Sequence, residues 1–201
     1  HAMELYFPRY AVSQAEMEAF HHAPGKYTAG LGQTSITFCA DNEDAVSMAM
    51  TAVNRLMTKH GSDWKEVGRL EVGSESLIDR SKSIKSYLMA LFAEHGCHDV
   101  EGVDTYNACY GGTAALFNAI AWCQSEAWDG RYAIVVAVDI ADLDSHQAFL
   151  NGAAAVAMRG GPNAPVVMEP VRASHMAHTF DFYKPVGWRT SYPLMRDGKH
   201  S

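Results

Sequence analysis

Apolar and polar positions change period several times along the chain, and each change marks an element. Met3-Glu4-Leu5-Tyr6-Phe7 reads as a strand closed by Pro8. Ser13-Gln14-Ala15-Glu16 has the spacing of a capping box and opens a short helix. Val46, Ala49, Met50, Val53 and Met57 recur at helical spacing, with Asp41 as the expected cap. Residues 69–73 form a short strand. Ile84, Tyr87, Leu88, Leu91 and Phe92 then line one face of a helix that Gly96 ends.

Residues 104–108 read as a buried strand running into Cys109, and Gly111-Gly112-Thr113 opens a nearly all-apolar helix over 114–123. Tyr132-Ala-Ile-Val-Val-Ala-Val138 is an unbroken apolar run, the pattern of a strand covered on both faces. Residues 153–158 and 166–169 add two further strands. Strands alternating with helices predict one layered α/β domain. No repeat, low-complexity tract or linker interrupts it, and the last residues, 197–201, bring no closing element.

Composition narrows the function classes. Hydrophobic residues at 48% and charged residues at 19% of 201 describe a globular chain rather than a disordered one. A net charge of −7 leaves no basic footprint for nucleic acid. The apolar runs are too short to span a bilayer, and residues 1–8 read as a strand rather than a signal peptide. Cys39, Cys97, Cys109 and Cys123 form no C-x-x-C pair, so reduced thiols and a cytoplasmic setting are expected. His175-x-x-His178 has metal-ligand spacing but no accompanying ligand cluster, and no metal is expected.

The chemistry centres on Asn107-Ala108-Cys109-Tyr110-Gly111-Gly112-Thr113. A thiol between a strand and a helix start meets unpaired N–H groups and a partial positive charge, which favour thiolate. The same donors suit an oxyanion formed when a thioester is attacked. Glycines after the thiol are expected to let a substrate come close to the backbone. Locally, a buried structural cysteine fits equally well. Cys39, Cys97 and Cys123 lack this context and read as structural.

The same segment resembles the active-site cysteine motif of the 3-hydroxy-3-methylglutaryl-CoA synthase family, in the thiolase superfamily. Further blocks match in order: Gly25-Lys26-Tyr27-Thr28, Gly30-Leu31-Gly32-Gln33, residues 68–75 (GRLEVGSE), 78–83 (IDRSKS), 128–132 (WDGRY), 161–165 (GPNAP) and 181–185 (DFYKP). The resemblance implies a thiolase-like layered α-β-α fold of which 1–201 is the N-terminal part, incomplete without a C-terminal half. It implies that Cys109 is acetylated by acetyl-CoA and that Glu75 acts as general acid/base in condensation with acetoacetyl-CoA. Asp139 and Asp181 would order the site, Ser201 would contact substrate, and Lys26 would lie near CoA. By itself, Lys26 fits a solvated lysine as well. Glu71, alternating with apolar neighbours, reads as a strand residue. No cofactor beyond the CoA thioesters is implied. A homodimer, or a complementary C-terminal chain, is the expected partner.

Two departures from the family pattern bear on function. The histidine that the family uses to polarise acetoacetyl-CoA belongs to the part beyond Ser201. Between Asp139 and Gly152, the family's tyrosine falls on Leu143 and its threonine on Leu150 or Asn151, which removes hydroxyls expected near the acyl group. These departures keep two alternatives open: a β-branching enzyme acting on an acyl carrier protein, and a non-catalytic partner subunit. A cysteine hydrolase would need a histidine beside Cys109, and no motif supplies one.

Overall fold

The computed structural model describes residues 1–141 and 151–179, and two compact units divide the chain at Pro165. In the first unit the chain begins with β1 (Ala2–Tyr6), β2 (Tyr10–Ser13), α1 (Gln14–Phe20), α2 (Thr28–Leu31) and β3 (Ser35–Phe38). It continues with α3 (Ala45–Lys59), β4 (Val67–Gly73), α4 (Ile84–Ala93) and β5 (Asp104–Thr105). It closes with α5 (Tyr110–Cys123), β6 (Tyr132–Ala141) and β7 (Gly152–Gly160). Five strands form one sheet in the order β1-β7-β6-β4-β5, parallel across β6-β4-β5 and antiparallel across β1-β7-β6. β2 and β3 pair separately as an antiparallel ribbon.

The period-2 alternation of side chains across the sheet explains why the apolar runs are continuous. Leu70 and Val72 of β4, with Ile134, Val136 and Val138 of β6, face α3 and α4. Ala133 and Val135 of β6 face α5 through Ala115, Ala119 and Trp122. Helices on both faces make three layers, so β6 has no solvent side and carries no polar alternation over 132–138. Burial of a leucine or phenylalanine contributes about 1.5–3 kcal/mol, and Leu56, Leu88 and Phe92 are all fully buried.

Several local expectations change. The cap of α3 is Asp44, not Asp41: Ser47 N–H donates to Asp44 Oδ1 at 2.7 Å and Asp44 N–H donates to Ser47 Oγ at 2.8 Å. A serine at the third helical position makes this capping box, and Asp41 has no such partner at that spacing. Ser13 does precede α1, but its side chain makes no capping bond. Gly96 ends α4 as predicted. Its φ is +73°, and Cys97 N–H to Phe92 O with Gly96 N–H to Ala93 O gives the Schellman pattern. The predicted buried strand 104–108 is only Asp104–Thr105, half-buried at the sheet edge, with Tyr106, Asn107 and Ala108 exposed. Residues 166–169, at the start of the second unit, form no strand and are exposed. Their apolar character alone provides no ladder partner.

Among the described residues, no helix is long and apolar enough to cross a membrane.

Candidate functional site

The parallel strands β4, β5 and β6 direct their carboxyl ends to one edge of the sheet, the place where open α/β sheets build sites. Glu75 follows β4, Cys109 follows β5, and Asp139 lies near the end of β6. The structure therefore brings three predicted residues to one end of the sheet.

Cys109 immediately precedes α5 with φ −63° and ψ −20°. Before it, Ala108 has φ +46°, in the left-handed region that costs a non-glycine residue about 1–2 kcal/mol. This turn lets the chain pass from the short edge strand into the helix at once. The Cys109 side chain makes no capping bond to the helix, and the residue is exposed. Cys97 is buried, while Cys39 and Cys123 are partly covered. Burial pushes the thiols of Cys39 and Cys123 up from their ordinary values. Of the four thiols, Cys109 alone is both exposed and at a helix start.

The two glycines after Cys109 have a packing role that the sequence did not indicate. A methyl group on Gly111 would lie 2.7 Å from Thr105 O, and one on Gly112 would lie 2.9 Å from Ala137 Cβ. A methyl group on Gly73 would lie 2.3 Å from Gly112 N and 2.4 Å from Gly111 C. The glycines thus let the helix start rest directly on β4, β5 and β6. The atoms they let approach belong to the protein, the Thr105 carbonyl and the Ala137 side chain.

Asp139 organises the loop that carries Glu75. Its Oδ1 accepts from Glu75 N at 2.8 Å, Ser76 N at 3.2 Å, Ser76 Oγ at 3.0 Å and Ser74 Oγ at 3.2 Å. Ser74 N–H also donates to Thr105 O at 3.3 Å, which carries the β4–β5 ladder one residue further. Ser74 and Ser76 were not singled out in the sequence, although Ser-Glu-Ser flanking the candidate base was the available signal.

Glu71 lies in β4, as its alternation suggested, and is fully buried. Arg69 Nε donates to it at 2.7 Å and Asn118 Nδ2 at 3.4 Å, so strand and α5 share a satisfied charge. Lys26 belongs to another part of the chain, the loop between α1 and α2. It is exposed, with Nζ 5.8 Å from the Tyr27 ring centre. That loop is tied by Glu18, whose carboxylate accepts from Gly25 N at 2.8 Å, Tyr27 N at 2.7 Å and Thr28 N at 2.6 Å. Asp181, Ser201 and the divergent stretch 142–150 lie outside the described residues. His175 and His178 are exposed. Among the described residues no group of three or more His, Cys, Asp or Glu is placed to hold a metal ion.

A mixed sheet between helix layers, with a cysteine at a strand-to-helix junction, has the layout of a thiolase-like α/β fold. The solved structure of MvaS in complex with 3-hydroxy-3-methylglutaryl coenzyme A superposes with a TM-score of 0.74 at 35% identity, over 79% of this chain and 38% of that one. The family model for the hydroxymethylglutaryl-coenzyme A synthase N terminal matches residues 1–165. The hydroxymethylglutaryl-CoA synthase erg13A of Aspergillus fumigatus is 54% identical over 100% of this chain and 42% of its own length. The cytoplasmic hydroxymethylglutaryl-CoA synthase of Mus musculus is 52% identical over 100% of this chain and 39% of its own. The chain belongs to the hydroxymethylglutaryl-CoA synthase family, and it spans about two fifths of the length of these curated relatives.

Proposed function

We propose that this chain supplies the nucleophile and the base of a condensing enzyme that makes 3-hydroxy-3-methylglutaryl-CoA from acetyl-CoA, acetoacetyl-CoA and water. The observation that carries this reading is the seating of Gly111-Gly112 on Gly73. It fixes the start of the Cys109 helix against the strand whose next turn holds Glu75.

The Cys109 thiolate attacks the acetyl-CoA carbonyl. A C–S bond forms to Cys109, the bond to CoA breaks, and the CoA thiolate leaves and takes up a proton. The helix start offers N–H donors for the transient oxyanion. A thioester carbonyl acidifies the neighbouring methyl, and the Glu75 carboxylate removes one proton from it. The resulting carbanion attacks the ketone carbon of acetoacetyl-CoA, and the new alkoxide takes a proton. Water then cleaves the thioester, leaving a carboxylate on the product and a free thiol on Cys109. Asp139 holds the Glu75 loop. Asp181, Ser201 and Lys26 are assigned to substrate contact on the family resemblance, and no cofactor beyond the CoA thioesters is required.

Residues 1–201 are the N-terminal part of the catalytic unit in this reading. A C-terminal half, on the same chain or a complementary one, provides the histidine that polarises acetoacetyl-CoA, and the unit acts as a homodimer in the cytoplasm. Identity of 52–54% to synthases named for CoA supports a CoA acceptor over a carrier protein.

The full-length protein carrying this chain, incubated with acetyl-CoA and digested, tests the assignment by peptide mass spectrometry. The acetyl group is expected on Cys109. An adduct on Cys39, Cys97 or Cys123 with Cys109 unmodified would reject it.

A further inference from the structure

The last backbone pair between β4 and β6 is Gly73 with Ala137, yet β6 runs on to Ala141. On its other side β6 stays paired with β7, Ile140 opposite Ala153. Toward β4, the Ile140 N–H therefore faces a place where the neighbouring strand has already turned away. Ser76 fills that place: Ile140 N–H donates to Ser76 Oγ at 2.8 Å. The Ser76 hydroxyl in turn has two acceptors in reach, Asp139 Oδ1 at 3.0 Å and Ile140 O at 3.3 Å.

We propose that Ser76 is a positioning residue for Glu75, its hydroxyl replacing the missing ladder partner of Ile140 and locking the turn that presents the Glu75 carboxylate. The proposal rests on the reading of Glu75 as the base.

The turn has two anchors around Glu75. On one side, Ser74 is buried and hydrogen-bonds Thr105 O through its N–H. Its hydroxyl is committed, accepting from Ser76 N at 3.0 Å and donating to Asp139 Oδ1 at 3.2 Å. On the other side, Ser76 is the side chain that bonds both Asp139 and the Ile140 main chain. Ser74 cannot take over, because its hydroxyl already serves the turn. Removing the Ser76 hydroxyl leaves Ile140 N–H without its acceptor and takes one of four donors from Asp139 Oδ1. The turn is then held to Asp139 through the N–H groups of Glu75 and Ser76 and the Ser74 hydroxyl alone, and Glu75 sits beside the anchor that is lost. A catalytic group must be held to within about 0.5 Å of its working position, and a displacement of about 1 Å can cost about 10²-fold in rate.

Acetylation of Cys109 draws on the helix start and its seat on the three strands, which Ser76 does not touch. Proton removal from the acetyl methyl draws on Glu75. A positioning role therefore splits the two steps, whereas a general loss of structure would lower both.

The test uses the full-length protein with Ser76→Ala, Ser76→Thr and Ser76→Cys. Intact mass reports acetyl-Cys109 stoichiometry, and exchange of acetyl methyl protons in deuterated water reports the base. Steady-state kcat, KM and a thermal melt complete the set. In Ser76→Ala, acetylation and KM for acetyl-CoA should stay at wild-type values while exchange and kcat fall together by about 10- to 10²-fold. Ser76→Thr keeps the hydroxyl and should restore most of the loss. Should Ser76→Ala melt before assay, Ser76→Cys keeps the shape at a slightly larger size with only a weak donor and acceptor, and the same split is expected in a folded protein. Wild-type exchange in Ser76→Ala or Ser76→Cys overturns the proposal, as does acetylation that falls in parallel with exchange. Glu75→Gln is run alongside. If it retains exchange, the reading of Glu75 fails. If it is inactive while Ser76→Ala is normal, the role given to Ser76 fails alone.

Discussion

The backbone N–H of Glu75 donates to Asp139 Oδ1 at 2.8 Å, so one strand's carboxylate fixes the main chain from which the candidate base projects. The contact spans 64 residues of sequence and exists because β4 and β6 are parallel neighbours in register. Asp139→Ala removes the acceptor of two backbone N–H groups and two hydroxyls. Each half-buried donor left without a partner costs up to about 1–3 kcal/mol. The expected result is a lower urea midpoint together with a fall of about 10²-fold in methyl-proton exchange. Urea unfolding and exchange measured on one preparation check it, and an unchanged exchange rate would remove Asp139 from the site.

Gly73 offers a separate test of how Cys109 is held. A methyl group there would lie 2.3–2.4 Å from the backbone of Gly111 and Gly112. Neither backbone can yield by rotating a side chain, so α5 must lift from the sheet. Overpacking of this kind typically costs about 1–3 kcal/mol. Gly73→Ala is expected to reach or exceed the upper end of that range and to slow acetylation of Cys109. Gly152→Ala is the control, since a methyl group there meets nothing within 4 Å. Chemical denaturation and the initial rate of acetyl transfer check both variants, and equal behaviour would rule out the seat as the determinant.

What the sequence disclosed and what it hid follow from the range of the forces involved. The unbroken run of β6 and the one-sided faces of α3 and α4 are local consequences of burial, and they were legible. So was the thiol at the junction, because a strand-to-helix change is written within a few residues. β2 and β3 were not legible: each has four residues, and their pairing is decided by partners more than 20 positions apart. The clamp of Ser74 and Ser76 on Asp139 depends on the parallel register and leaves no periodic trace. The packing role of Gly111 and Gly112 was hidden for the same reason. A glycine announces that something comes close, and only the fold shows that it is Gly73, Thr105 and Ala137. At 166–168, apolar residues suggested a strand, but Val166 and Val167 are each 79% exposed. β-propensity describes fitness for a sheet, and a partner edge must still exist.

Glu18 provides a pH-dependent contribution away from the thiol. Backbone donors from Thr28 first, then Gly25 and Tyr27, with the Thr28 hydroxyl, draw its carboxyl down from 4.5 to about 2. A group whose folded value is depressed stabilises the fold above its unfolded value and loses that contribution as the pH falls. The Glu18 contribution is therefore complete above pH 4.5 and declines as the pH falls toward about 2. Glu18→Gln should destabilise the protein near neutrality, and the gap to wild type should narrow through that window. Urea unfolding at a series of pH values checks this. A gap that stays constant or widens on acidification would show that the loop at Lys26 is not held by the charge.

Glu75 and Cys109 are expected to separate by step. Acetyl transfer needs a nucleophilic thiol and donors for an oxyanion, and neither requires Glu75: Cys109 is exposed at the start of α5. Carbon–carbon bond formation needs a proton taken from a weakly acidic methyl, and a positioned base contributes about 10²- to 10⁴-fold to such a step. Truncating Glu75 to alanine leaves the backbone N–H that Asp139 holds, so the turn and the Gly73 seat should survive. Glu75→Ala in the full-length protein should therefore still form acetyl-Cys109 with wild-type stoichiometry. Condensation should fall by at least about 10²-fold, and methyl-proton exchange should fall with it. Cys109→Ser should behave differently, losing acetylation and condensation together while keeping its melting temperature. Stoichiometry and product formation measured on the same sample make the comparison decisive. If Glu75→Ala loses both steps, the residue serves the fold or the thiol; if it keeps both, the proton is removed by another group.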